Sequence, residues 1–173
     1  ETDASTYVNN LAGLIGPKSF IPIIKGNKAR YIYEPEWYVD WSIQAVSHYK
    51  KDAKARFQNS LYYFRPGIAV PMVRSTNINA FFMQGAVFDQ SIVGIFPYDP
   101  EMIWHILYYL NTEEADIELK KINNSTNNSA NYLKRLEIPI VHDLKTAKKI
   151  SEIRSIVMSD KTQMAVIDKC AGT

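Results

Sequence analysis

The chain is poor in the residues that most sharply narrow a function. Its 173 residues include one cysteine, Cys170, and three histidines. A single thiol excludes an internal disulfide framework and a zinc site built on thiolates. The histidines, His48, His105 and His142, are far apart and show no HxxxH or HxH spacing, so no metal site is expected. His105 falls inside an apolar helical pattern and reads as a satisfied core or edge residue. No run approaches the ~18 unbroken apolar residues that a membrane-spanning helix needs. The opening Glu1-Thr2-Asp3-Ala4 lacks the basic stretch and apolar core of a signal peptide. The expected compartment is cytoplasmic, with no membrane partner. With no initiator methionine and an opening in mid-pattern, the chain is read as a piece of a larger protein.

What is present is ordinary for a globular domain with a real core: 46% hydrophobic and 22% charged residues. Tyrosine is over-used, with eleven in the chain. Its amphipathic ring suits an interface, but it also fills half-buried strand positions, and composition leaves both open. Net charge is only +2, yet it is unevenly spread. From Lys18 to Arg74 there are ten Lys and Arg against four acids (Glu34, Glu36, Asp40 and Asp52), an excess of six. A basic half within a near-neutral chain suits a surface that faces a polyanion, although solvated lysine-rich loops look the same.

Periodicity predicts an α+β fold, sheet-rich, with peripheral helices and a C-terminal helical tail. Strands are expected at Phe20-Ile21-Pro22-Ile23-Ile24, Arg30-Tyr31-Ile32-Tyr33 and Trp37-Tyr38-Val39-Asp40-Trp41. The last two should form a hairpin through Glu34-Pro35-Glu36. Residues 42–59 are compatible with an exposed basic helix. Four further β-type runs follow, at 61–64, 68–73, 80–83 and 92–96. Asp99-Pro100-Glu101 opens the clearest helix, with Met102, Ile103, Ile106, Leu107 and Leu110 at helical spacing and Asn111 at its end. A second helix is expected over 113–122, an Asn-rich loop over 123–131, and a short strand over 136–141. From Asp143 an amphipathic helix carries Ile150, Ile153 and Val157 on one face, for which core packing is the preferred role.

The order of these pieces is more specific than any one of them. Phe64-Arg65-Pro66-Gly67-Ile68 leads to Val73-Arg74-Ser75, then to Phe81-Phe82-Met83-Gln84-Gly85-Ala86-Val87-Phe88-Asp89. The helix around Trp104-His105-Ile106-Leu107-Tyr108-Tyr109-Leu110-Asn111 follows, and then Asn131-Tyr132-Leu133-Lys134-Arg135-Leu136-Glu137-Ile138-Pro139. With Ile21-Pro22-Ile23-Ile24-Lys25-Gly26 as the entry, this succession resembles the target-recognition (specificity) domain of TaqI-like and Eco57I-like adenine-N6 DNA methyltransferases, including fused type II restriction–modification enzymes. Residues 20–142 carry the resemblance, leaving 1–19 as a connector and 143–173 as the tail. The chain departs from that pattern at Ala69-Val70-Pro71, where a tryptophan is common, and at Asn124-Ser125-Thr126-Asn127-Asn128, where a proline is common.

The resemblance implies double-stranded DNA as a partner and an N-terminal methyltransferase domain of the same parent chain as the other. S-adenosylmethionine would be the cofactor of that absent domain, and no cofactor or catalytic residue is assigned to this chain. Gly13-x-x-Gly16 follows no convincing strand, and Phe96-Pro97-Tyr98-Asp99-Pro100 has the wrong order for an Asx-Pro-Pro-aromatic loop. Glu118-Leu119-Lys120 has nuclease letters but sits in a helix. What remains is recognition. Base edges are read by Arg, Asn and Gln, and Arg74, Ser75, Thr76, Asn77 and Asn79 concentrate such residues between two apolar strands. Arg65 is a further base-reading candidate. Phosphates are assigned to Lys25, Lys28 and Arg30, to Lys50, Lys51, Lys54 and Arg56, and to Lys134 and Arg135. For each, a solvated surface residue is the plainer alternative. The competing function is a protein-interaction or scaffold subunit that uses its tyrosines and terminal helix. A small-molecule enzyme finds no polar constellation in the sequence.

Overall fold

The computed structural model describes residues 11–26, 28–55, 57–73 and 76–159. Its elements are β1 (Phe20–Ile24), β2 (Tyr38–Asp40), α1 (Ile43–Lys51), β3 (Gly67–Pro71), β4 (Phe81–Met83), β5 (Val87–Phe88), β6 (Ile92–Ile95), α2 (Met102–Leu110), α3 (Glu113–Ile122), α4 (Ala130–Leu133) and α5 (Leu144–Ser159). The fold is α+β. One three-stranded sheet has the order β2-β1-β5 and the other β4-β3-β6.

The strand β3 is buried along its whole length because both of its faces are covered. Ile68 and Val70 point into the larger core, with Leu107 and Leu110 of α2 and Leu119 of α3. Ala69 points the other way, toward Ile24, Phe81 and Ile92. This is the period of two expected of a pleated strand, with a second apolar layer where a one-sided sheet would have water. A third cluster gathers Leu14, Ile21, Trp41, Val46, Tyr63 and Phe64. Segments outside 20–142 thus join the core at both ends, through Leu14 and through Val157 of α5. Ile150 and Ile153 pack beside Val157, so α5 is a core-packing helix. It is tied to α2 further by Arg154, which stacks over Trp104 and pairs with Glu101.

Three expected strands are absent, each for a local reason. Residues 30–33 make only a single bridge, Tyr31 to Phe81. Tyr31 has φ +66°, and the Ile32 amide donates to the Arg30 carbonyl at 2.8 Å, closing a tight turn where a strand would run straight. The hairpin partner of β2 is therefore β1, in antiparallel register Ile21↔Val39. Residues 61–64 hold a 3₁₀ turn, Ser60–Tyr62, flanked by left-handed Asn59 and Phe64. Residues 136–141 form no ladder; Pro139 withholds the donor a strand needs there. The basic helix stops at Lys51, short of residue 59. The pair Val87–Phe88, parallel to β1, was not expected as a strand.

Asp40 ties the start of α1 to β1. Its Oδ1 accepts from the Ser42 amide at 2.8 Å and from the Ser19 hydroxyl at 3.0 Å. The Ser42 amide, and then the hydroxyls of Ser19 and Ser42, hold the carboxyl below its ordinary value. A carboxyl depressed on folding stabilises the native state above its unfolded pKa, and that contribution is lost as pH falls through the depressed range. Urea midpoints measured from neutral pH down through the carboxylate range should therefore fall, and Asp40→Asn, which keeps an acceptor but not the charge, should flatten that dependence.

Candidate nucleic-acid interface

The loop between β3 and β4 carries the base-reading candidates, and two buried polar side chains hold it from below. Asp116, in the first turn of α3, is 4% exposed. Its Oδ1 accepts from the Ile78 amide at 2.9 Å, and its Oδ2 accepts from the Asn77 side-chain amide. Asn111, which ends α2, is 6% exposed. Its Nδ2 donates to the Ala80 carbonyl at 2.8 Å and to the Leu107 carbonyl at 2.9 Å, and its Oδ1 accepts from the Ala80 amide at 3.1 Å. Asn111 thus offers Ala80 what a neighbouring strand would offer, one acceptor and one donor, and extends the ladder one rung before β4 begins. Between these anchors Asn79 turns the chain with φ +53°, a conformation asparagine tolerates better than most residues. The Ile78 side chain drops into the core.

This geometry sorts the base-reading candidates. Arg74 and Ser75 lie outside the described residues. Thr76 is exposed, and its hydroxyl donates to Asn77 Oδ1 at 2.9 Å. Asn77 therefore has both ends of its carboxamide engaged within the protein. Reading a base through this carboxamide would first require breaking the bond to Asp116. Asn79 is half-buried at the turn. Arg65 is exposed but distant in the chain from this loop, and its guanidinium lies 5.7 Å over the Tyr62 ring.

The cationic candidates divide among three places. Arg30 is adjacent to the loop, with Nε 3.3 Å from Asn111 Oδ1 and a terminal nitrogen on the Asn111 carbonyl. These contacts cap the end of α2, and the side chain is otherwise exposed. Lys28 is exposed two residues earlier, and Lys25 lies 4.9 Å over the Trp37 ring. Burial pushes the Tyr31 phenol beside them above its ordinary value, and Arg30 partly offsets this. Around α1, Lys50 donates to the Leu11 carbonyl at 3.0 Å, Lys51 is exposed, and Lys54 is exposed in the turn after the helix. Arg56 lies outside the described residues. Lys134 and Arg135 are exposed where α4 ends.

Beside the anchored loop runs the Asn-rich segment, which is held as firmly. Asn123 Nδ2 donates to Ser125 Oγ and to the Asn127 carbonyl, both at 2.9 Å. Asn128 is fully buried, its amide group donating to the Pro71 carbonyl at 3.0 Å and its backbone N–H to Met72 at 2.7 Å. A bridge between Val73 and Asn127 places the two polar loops side by side. Sequence reasoning saw Asn111 only as a helix end and missed Asp116 and Asn128. An acid inside an otherwise apolar helical stripe was the one available signal for Asp116. Among the described residues no group of three His, Cys, Asp or Glu is placed to hold a metal, and no helix is long and apolar enough to cross a membrane. No protein-family model matches this chain, and no curated protein matches it.

Replacing Asp116 with alanine leaves the Ile78 amide and the Asn77 carboxamide without acceptors in a buried place. We expect a loss of about 2–4 kcal/mol in urea unfolding, with the Ile78 amide losing most of its hydrogen-exchange protection. Asp116→Asn, which keeps one acceptor oxygen, should lose less.

Proposed function

We propose that this chain is a sequence-specific double-stranded DNA recognition domain, the specificity module of an adenine-N6 DNA methyltransferase or of a restriction–modification enzyme, with methyl transfer performed by a separate domain. The observation that carries the reading is the pair of polar loops, the one after β3 and the one at 123–129, joined by the Val73–Asn127 bridge and anchored on sheet and helix, with Arg30 on Asn111 beside the first. Base readers need a fixed platform, since a bidentate contact discriminates by ~1–3 kcal/mol only when its geometry is held. The Asn111 and Asp116 anchors supply that rigidity. Cations at the loop's flank supply the sequence-independent attraction that brings phosphates into register. Arg74 and Thr76 are the residues of this loop that would reach bases, with Asn77 and Asn79 setting the loop's shape.

The chain should bind a labelled duplex weakly at low salt and release it steeply as salt rises. Anisotropy titrations that show no binding even at low salt would sink the reading. Arg74→Ala should relax preference at one base position while leaving affinity for random duplex nearly intact. Lys28→Ala should weaken all duplexes alike and reduce the slope of log affinity against log salt by about 0.9.

A second reading has its own observation. Phe20, Trp37 and Tyr38 are 63%, 54% and 47% exposed along the β1–β2 pair, with β2 at the edge of its sheet. Aromatics on an edge suit a protein partner or a neighbouring domain. Salt-insensitive association that is lost in Trp37→Ala would favour this scaffold reading over DNA binding.

A further inference from the structure

A second polar and aromatic surface reaches from the turn after α1 to the border of the anchored loops, where Met72 and Ala130 line it. Two clefts of about 460 and 510 Å³ adjoin each other, sharing Gln58, Asn59, Phe88, Gln90 and Ile92 along their common wall. Each is within the size range of sites that take a small planar ligand. An aromatic track runs along both. In the first cleft Phe57 stacks on buried Trp41 at 5.8 Å and meets Tyr63 edge-on at 5.6 Å, and Tyr63 meets Phe88 at 5.4 Å. Phe88 then meets Phe96 at 6.1 Å, and Phe96 meets Tyr62 at 4.7 Å in the second cleft. Phe57, Phe88 and Phe96 are half-buried and Tyr62 is exposed, so parts of this track face water.

The sequence is shaped to put Phe96 there. A Cβ on Gly67 would come within 2.7 Å of the Phe96 ring, and one on Gly94 within 2.6 Å. Two glycines on neighbouring strands thus make a shallow seat that holds the ring flat over the sheet. Asn59, at the common wall, is held at φ +58°. Cations stand at both ends of the track, Lys54 in the first cleft and Arg65 over Tyr62 at the far end. Lys50 lies 5.7 Å over the Phe57 ring. Among the described residues Asp89 is the one acid lining either cleft, and its Oδ1 is occupied by Ser91.

Flat apolar rings, carboxamides between them and cations at the ends are what an unpaired nucleic-acid strand requires. Bases stack on the rings, carboxamides meet their edges, and cations track the phosphates. We propose that this double cleft binds a short single-stranded nucleic-acid segment, with one base against Phe57 and Phe88 and the next against the exposed Tyr62, which Phe96 supports from below. Asp89 favours bases that carry an exocyclic amine, such as cytosine, since a carboxylate accepts from that group. None of residues 76–79 lines either cleft, and the proposal does not rest on the duplex reading.

The test uses the whole chain with short fluorescein-labelled oligo-dC, a labelled duplex hairpin and unlabelled CMP. Oligo-dC should bind at low salt, and Tyr62→Ala should weaken it about tenfold or more, the loss of one base stack. Gln58→Ala should weaken it about five- to tenfold. Gln58→Ala should alter neither duplex affinity nor the melting temperature, because its side chain is exposed, whereas Tyr62 packs on Phe96 and lies under Arg65, so its variant is read alongside its melting temperature. Should Tyr62→Ala fold poorly, Gln58→Ala carries the test alone. Absence of oligo-dC binding, or binding unchanged in both variants, overturns the proposal. CMP competing as strongly as the oligonucleotide overturns it as well, since the cleft would then be a mononucleotide site. Duplex binding is read separately, so either reading can fail without the other.

Discussion

A polar loop set on an apolar core must find partners for its own backbone, and here two side chains provide them. Asn111 and Asp116 lie at the junction of α2 and α3, five residues apart, where one helix has ended and the next has begun. From there they reach the amides of Ala80 and Ile78. Without them the chain between β3 and β4 would enter the core with unpaired donors, each costing about 1–3 kcal/mol. With them the Ile78 side chain can be buried while Thr76, two residues earlier, faces water. The strained turn at Tyr31 belongs to the same arrangement. It sets Arg30 against Asn111, and the Tyr31 backbone accepts from Phe82 and donates to Ala80.

For the proposed function the consequence is a division of labour within one short loop. On that reading the base-reading candidates divide between contact and support, and Asn77, bonded to Asp116, falls on the support side. Such a division is physically reasonable, because a side chain that reads a base must itself be held by something that does not move. The neighbouring Asn-rich loop follows the same logic. Asn128 gives up its amide to the end of β3, so that Asn124, Ser125 and Thr126 can remain exposed beside the first loop.

Phe96 illustrates how packing makes a surface as well as a core. The ring occupies space vacated by the missing side chains of Gly67 and Gly94, and it joins Tyr62 to Phe88. Neither glycine would be read as functional from the sequence, where both are simply glycines in strands. Their absence of a Cβ becomes informative only when the ring that uses it is seen.

The sequence by itself determined the α+β class, the bounds of α3, the apolar faces of α2 and α5, the strand at 20–24 and, to within one residue, the strand expected at 80–83. These follow from local rules: helical or alternating spacing of apolar residues, and β-branched runs between turns. It misled where the outcome depended on which partner a segment meets. Arg30–Tyr33 alternates like a strand, yet Tyr31 adopts a positive φ because Asn111 and the edge of β4 receive it in that shape. Residues 136–141 look extended but reach no sheet. The identities of the anchors were equally hidden. A side chain's commitment to a distant backbone amide, 38 residues away for Asp116 and Ile78, has no local signature, and only tertiary packing decides whether an asparagine holds a loop or faces solvent.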